Sequence, residues 1–200
     1  VGNTAVGYNA GLAITTATHT TIVGYDALIT EDVGTGTTAM GRTALYAQNT
    51  ASAGGTGNTG IGYRAGYNNV TGTNNTLLGY DAGFGEDGES NSNNTAVGRH
   101  ALYSYTGDNN IAIGYQAMDD TDADATVGGS TENIFIGASA GGGAWVTAAS
   151  NYNVAIGNLA MDAAMNRALS NTAIGYASLS RITTGDKNIA IGYGAMNGTQ

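Results

Sequence analysis

Residues able to do chemistry are few in this chain, and their placement argues against a catalytic centre. There are two histidines and no cysteine. His19 sits in a threonine-rich connector, and His100 at a repeat position that accepts many residue types. Neither has an Asp or Ser at a spacing that suggests a hydrolytic triad. The run Gly141-Gly142-Gly143 is not followed by the Lys-Ser/Thr of a phosphate loop. The one metal-like feature is Asp119-Asp120-Thr121-Asp122-Ala123-Asp124, whose alternating carboxylates could gather oxygen ligands around Ca²⁺. It lacks EF-hand spacing and a closing Glu, and the glycine-rich nonapeptide of calcium-binding β-rolls is absent, so a solvated loop is expected. Glu86-Asp87-Gly88-Glu89 carries less signal still. No catalytic, cofactor-binding or metal residue is assigned. The chain is not expected to be an enzyme.

Composition narrows the classes further. Glycine fills 33 of 200 positions, proline none, and charged residues only 10%. Average proteins carry about 7% Gly, 5% Pro and 25% charged residues. With 42% hydrophobic residues the chain lacks the signature of disorder. A net charge of −9 with six scattered basic residues makes nucleic acid an unsuitable partner. Without cysteine there is no disulfide or thiolate metal site. No apolar run approaches the roughly 18 residues of a membrane span.

The element that must position everything else is a nine-residue phrase that recurs eleven times. It reads Asn-Thr-Ala-Val-Gly-Tyr-Asn-Ala-Gly from Asn3 to Gly11. Later copies centre on Gly24, Gly41, Gly62, Gly79, Gly98, Gly114, Gly137, Gly157, Gly175 and Gly192. Intervals between these glycines run from 16 to 23 residues. The fourth position is always aliphatic, as in Val6, Val23, Ile113 and Ile191. The fifth is always glycine, and the eighth is alanine except at Ser178. Tyrosine takes the sixth position in seven copies.

Alternation around the aliphatic residue predicts a short strand. A mid-phrase glycine and Asn-Gly-Thr connectors oppose a helix. Each coil is too short for a strand–helix repeat, so the expected fold is all-β, a parallel β-solenoid of about eleven coils forming one domain over residues 1–200. In this reading the fourth-position side chains stack in a dry interior, coil upon coil. Ala and Gly suit the narrow space inside. The glycine allows either a positive φ at a corner or close approach of another backbone. The Asn that opens most phrases suits a turn, and stacked copies could form a ladder. Longer connectors at 85–93, 119–132 and 142–152 are expected to be surface loops available for binding.

The phrases Asn-Thr-Ala-Ile-Gly-Tyr (Asn171 to Tyr176) and Asn-Ile-Ala-Ile-Gly-Tyr (Asn188 to Tyr193) resemble repeats of bacteriophage tail-fibre proteins. They also resemble the head repeats of trimeric autotransporter adhesins, built on a similar Asn-Ser-Val-Ala-Ile-Gly phrase. The resemblance spans essentially the whole chain. It implies a left-handed β-roll, trimeric, working at a cell or virion surface. It carries over no catalytic residue.

The column of Ala, Gly and Tyr beside the aliphatic row independently suggests a packing face between chains. The chain opens at Val1, inside a repeat and without an initiator Met or signal peptide, and stops just past a repeat at Gln200. Both ends look uncapped, so the coils are expected to continue, either in a longer protein or by end-to-end stacking.

The leading expectation is a structural and adhesive segment of an extracellular or virion fibre. It would self-associate as a homotrimer and offer loops to a cell-surface glycan or protein receptor. The alternative is a subunit of a self-assembling extracellular filament that polymerises end to end. Ice binding is not favoured, because the second position varies among Thr, Ile and Val instead of staying Thr in every coil.

Overall fold

A computed structural model describes all residues except 1, 51–53, 87, 89, 106, 121–128, 146–147 and 199–200. Eleven three-residue strands form one parallel sheet in sequence order. They are β1 (Thr4–Val6), β2 (Thr21–Val23), β3 (Thr38–Met40), β4 (Thr59–Ile61), β5 (Thr76–Leu78) and β6 (Thr95–Val97). The series continues through β7 (Ile111–Ile113), β8 (Ile134–Ile136), β9 (Val154–Ile156), β10 (Thr172–Ile174) and β11 (Ile189–Ile191). Each strand is the same part of the repeat. Register is therefore exact in type: Thr4 faces Thr21, Ala173 faces Ala190, Ile174 faces Ile191. The chain is a β-solenoid of about ten turns.

The expected interior is corrected by the pleat. In a three-residue strand the outer two side chains share one face and the middle one takes the other. The buried member is the middle one: Ile22, Ala39, Leu77, Ala96, Phe135 and Ala155 are fully enclosed. The fourth-position aliphatics point outward, with Val6 59%, Ile113 36% and Ile191 68% exposed, and Val23 half-buried. The reason is volume. A narrow coil encloses a layer of alanine more closely than a layer of isoleucine, and close packing dominates the choice of inner residue.

The rest of the interior comes from the turn that follows the strand. Eighth-position alanines such as Ala27, Ala65 and Ala117 are fully buried, as are ninth-position Leu28, Leu45, Met118 and Met161. In eight of the eleven copies the third and ninth positions complement one another in size. Where the third is Ala39, Ala96 or Ala155, the ninth is Leu45, Leu102 or Met161. Where the third is Leu77 or Phe135, the ninth is Gly83 or Gly141, and a Cβ on either glycine would collide with that larger side chain. Long connectors are not all surface loops, contrary to expectation. Trp145 folds inward, 2% exposed, with its ring 5.4 Å from Phe135 and its Nε1 donating to the Gly141 carbonyl. Tyr105, in the shortest interval between repeats, is buried too.

Both roles foreseen for the fifth-position glycine are realised at once. Its φ lies between +127° and +143° in every copy. In ten of the eleven, an added Cβ would overlap the backbone of the glycine in the next coil. Beyond it, the seventh and ninth residues are left-handed in every coil, with φ from +48° to +65°. Leu159, His100 and Thr43 accept this conformation although it costs non-glycine residues on the order of 1 kcal/mol. Hydrogen bonds between coils hold them there, such as Asp26 N–H to Tyr8 O at 2.9 Å and Leu28 N–H to Ala44 O at 3.0 Å. Stacking, not local preference, fixes the turns.

The opening asparagines form the ladder. From Asn58 to Asn171 each Oδ1 accepts the backbone N–H of the Asn one coil later, at 2.8–3.1 Å. The Nδ2 of each donates to the carbonyl three residues before that same N–H, as from Asn153 to Ala168 and from Asn171 to Gly185. One carboxamide thus clamps two backbone groups of the neighbouring corner. Thr20 and Thr37 take the Asn position in the second and third copies. There the corner is filled by Glu31, Gln48 and Thr50, all buried.

Candidate functional site

The outward face of the sheet carries two parallel columns. One is the second position, Thr in β1 to β6 and then Ile111, Ile134, Val154, Thr172 and Ile189. The other is the aliphatic fourth position, exposed in seven coils and half-buried in the other four. Ten steps of about 4.8 Å make this an apolar ridge roughly 48 Å long. A monomer rarely leaves a continuous apolar patch of several hundred Å² in water. The sequence pattern had suggested an interior place for the fourth-position side chains. The outward signal lay in the third position, alanine in seven of eleven copies, where volume rather than hydropathy marks the inside.

Around the corner from this ridge, sixth-position side chains stack face to face along the axis. Tyr8 and Tyr25 lie 5.3 Å apart, and Tyr176 and Tyr193 5.2 Å apart. Where arginine replaces tyrosine, the guanidinium continues the stack. Arg42 lies 5.8 Å from the Tyr25 centroid and 5.7 Å from Tyr63. Arg99 lies 5.5 Å from Tyr80 and 5.8 Å from Tyr115. Ala138 and Asn158 interrupt the series, which resumes at Tyr176.

A second aromatic stack occupies the tenth position of coils three to six alone. Tyr46, Tyr67, Phe84 and Tyr103 follow one another at 4.8 Å, 5.3 Å and 5.1 Å. The two stacks are joined by the seventh position. Arg64 lies over both Tyr63 and Phe84, and its Nε and Nη2 donate to the two oxygens of Asp81 at 2.8 Å and 2.6 Å. That carboxylate holds Arg64 protonated. His100 lies 3.7 Å from Asp81. Burial and then the neighbouring Arg99 push its imidazole below the ordinary histidine range, so it is neutral near pH 7. Although its position in the repeat accepts many residue types, His100 is packed, with its ring 4.8 Å from Tyr103.

Other sequence candidates stay apart from this corner. His19 is exposed and pairs only locally, Nδ1 to Thr18 Oγ1 at 3.0 Å. Of the acidic run, Thr121 to Asp124 lie outside the described residues. Asp119 is pushed up to about 6, first by burial and then by the charges of Asp120 and Asp162. Glu86 accepts from Ser104 Oγ at 2.7 Å, while Asp87 and Glu89 lie outside the described residues. Among the described residues no group of three or more His, Cys, Asp or Glu is arranged to hold a metal, and no helix is long and apolar enough to cross a membrane. Gly143 approaches the backbone of Ala163 too closely for a side chain, so that part of the Gly141–Gly143 run serves coil packing.

No protein-family model, no curated protein and no solved structure matches this chain.

Proposed function

We propose that the chain is a structural and adhesive segment of an extracellular or virion fibre, whose copies associate side by side through the apolar ridge. The single observation behind this reading is the outward column from Val6 to Ile191. Burying part of each exposed aliphatic side chain, at about 25 cal/mol per Å², gives a long rigid rod a reason to pair along its length. Three copies around a common axis would cover all three ridges together. The resemblance to fibre and adhesin repeats supports that stoichiometry and a left-handed coil. No catalytic step belongs to this reading.

Analytical ultracentrifugation across a range of concentrations tests it. A discrete trimer is expected, and substituting Ile113 and Ile156 together by Asp should dissociate it while β-type circular dichroism persists. A stable monomer at high concentration would refute the lateral association. Open-ended polymers that survive the double substitution would favour the end-to-end filament instead.

A further inference from the structure

One break in the regularity of the repeat is chemically coherent. Coils three to six alone carry the tenth-position aromatic stack, and three of the six basic residues, Arg42, Arg64 and Arg99, lie among or beside those rings. The same position is aliphatic before them, at Leu12 and Ile29, and polar or glycine after them, at Asp119, Gly142 and Asp162.

Arginine is concentrated here on an otherwise acidic chain, with Glu86 of the fifth coil an exposed carboxylate in the same coils, bonded to Ser104. The chain carries −9 overall. Arg64 and Asp81 neutralise one another, and His100 is neutral near pH 7. Arg42 and Arg99 make no ion pair among the described residues, and each is exposed. Asp26, at the seventh position of the coil before Arg42, accepts from Asn9 Nδ2 at 3.0 Å. Stacking between two tyrosine rings fixes each guanidinium in direction before any ligand arrives, which lowers the ordering cost of binding. Three coils separate the two arginines, which places them roughly 14 Å apart along the axis.

We infer that this corner of coils three to six binds an acidic polysaccharide lying along the solenoid axis. Its carboxylates meet Arg42 and Arg99, and its sugar rings run over the edges of the intervening Tyr63 and Tyr80. An extended polymer suits a surface that repeats at a constant step. Planar guanidinium groups suit planar carboxylates, which they hold by paired hydrogen bonds. The inference rests on the adhesive reading and names its ligand class.

The whole chain would be titrated into fluorescently labelled polygalacturonate, with neutral dextran and polyphosphate in parallel. Polygalacturonate should bind and weaken with added salt, and dextran should not bind. Replacing both arginines (R42Q with R99Q) should raise Kd at least tenfold, and Y63A with Y80A at least threefold. Equal binding of dextran, no binding of polygalacturonate, or an unchanged Kd in R42Q/R99Q would overturn the proposal. Polyphosphate binding as tight as polygalacturonate would overturn its sugar component. Sedimentation of the same samples keeps the two readings apart. Loss of sugar binding with the oligomer intact removes only this site; a monomer that still binds polygalacturonate removes only the fibre assembly. Circular dichroism of each variant guards against a simple failure to fold.

Discussion

The same polar corner is built in two ways along the solenoid. From Asn58 onward a single carboxamide per coil serves it, repeated without variation to Asn188. In the second and third copies, where Thr20 and Thr37 stand in its place, a fully buried carboxylate organises the space. Glu31 accepts the N–H groups of Val33 and Gly34 at 3.2 Å and 2.8 Å, Gln48 Nε2 at 3.0 Å, and both the N–H and hydroxyl of Thr50. Gln48 then takes Asn58 Nδ2 on its own Oε1 at 2.9 Å, linking the cluster to the first rung of the regular ladder. Thr37 Oγ1 and Thr56 Oγ1 close the arrangement with a hydrogen bond to each other. The ladder distributes its bonds evenly, so each rung depends only on its neighbours. The cluster concentrates them on one side chain.

That difference sets the order of expected effects. Glu31→Ala should be the most damaging, since it leaves several buried donors without an acceptor and opens a cavity. We expect a loss of about 3–5 kcal/mol, read by denaturant unfolding, with hydrogen-exchange protection falling first at Gly34 and Thr50. A loss under about 1 kcal/mol would mean that the carboxylate does not organise this corner.

Asn133→Ala tests one rung. It removes the acceptor of Asn153 N–H and the donor to Ser150 O. About 1–3 kcal/mol should be lost, with faster exchange confined to the adjacent coils. Exchange that rises uniformly over the chain would contradict the nearest-neighbour picture of a solenoid.

The smallest effect should be a gain. Thr20 Oγ1 is buried without a hydrogen-bond partner, and its neighbour Asn3 already offers Oδ1 to the Thr20 N–H at 3.1 Å. Thr20→Asn places a carboxamide where most other coils carry one and should stabilise the fold by about 0.5–1 kcal/mol. Destabilisation would show that the second coil has adapted its shape to threonine.

Much of this architecture was legible in the residues, and the misreading is informative. Period, parallel pairing and the Asn ladder follow from what recurs and where. The error concerned direction: hydropathy placed Val6, Val23, Ile113 and Ile191 inside, whereas the third-position alanines take that place. Complementary sizes at the third and ninth positions, such as Leu77 with Gly83 and Phe135 with Gly141, could have revealed the true interior, because only side chains that share a space need to share its volume. The aromatic corner was less legible. Tyr46, Tyr67, Phe84 and Tyr103 lie in connectors of unequal length, and nothing in their spacing says that they stack. Trp145 and Tyr105 were hidden for the same reason.

By itself the sequence determined the coil, because a strand phrase repeated at intervals of 16 to 23 residues can satisfy its backbone only by stacking on its own copies. The pleat further required the second and fourth positions to share a face opposite the third. Which of those faces met water was decided only in three dimensions. The width left inside a closed coil admits alanine there, and that width is a property of the stacked turns, absent from any one of them.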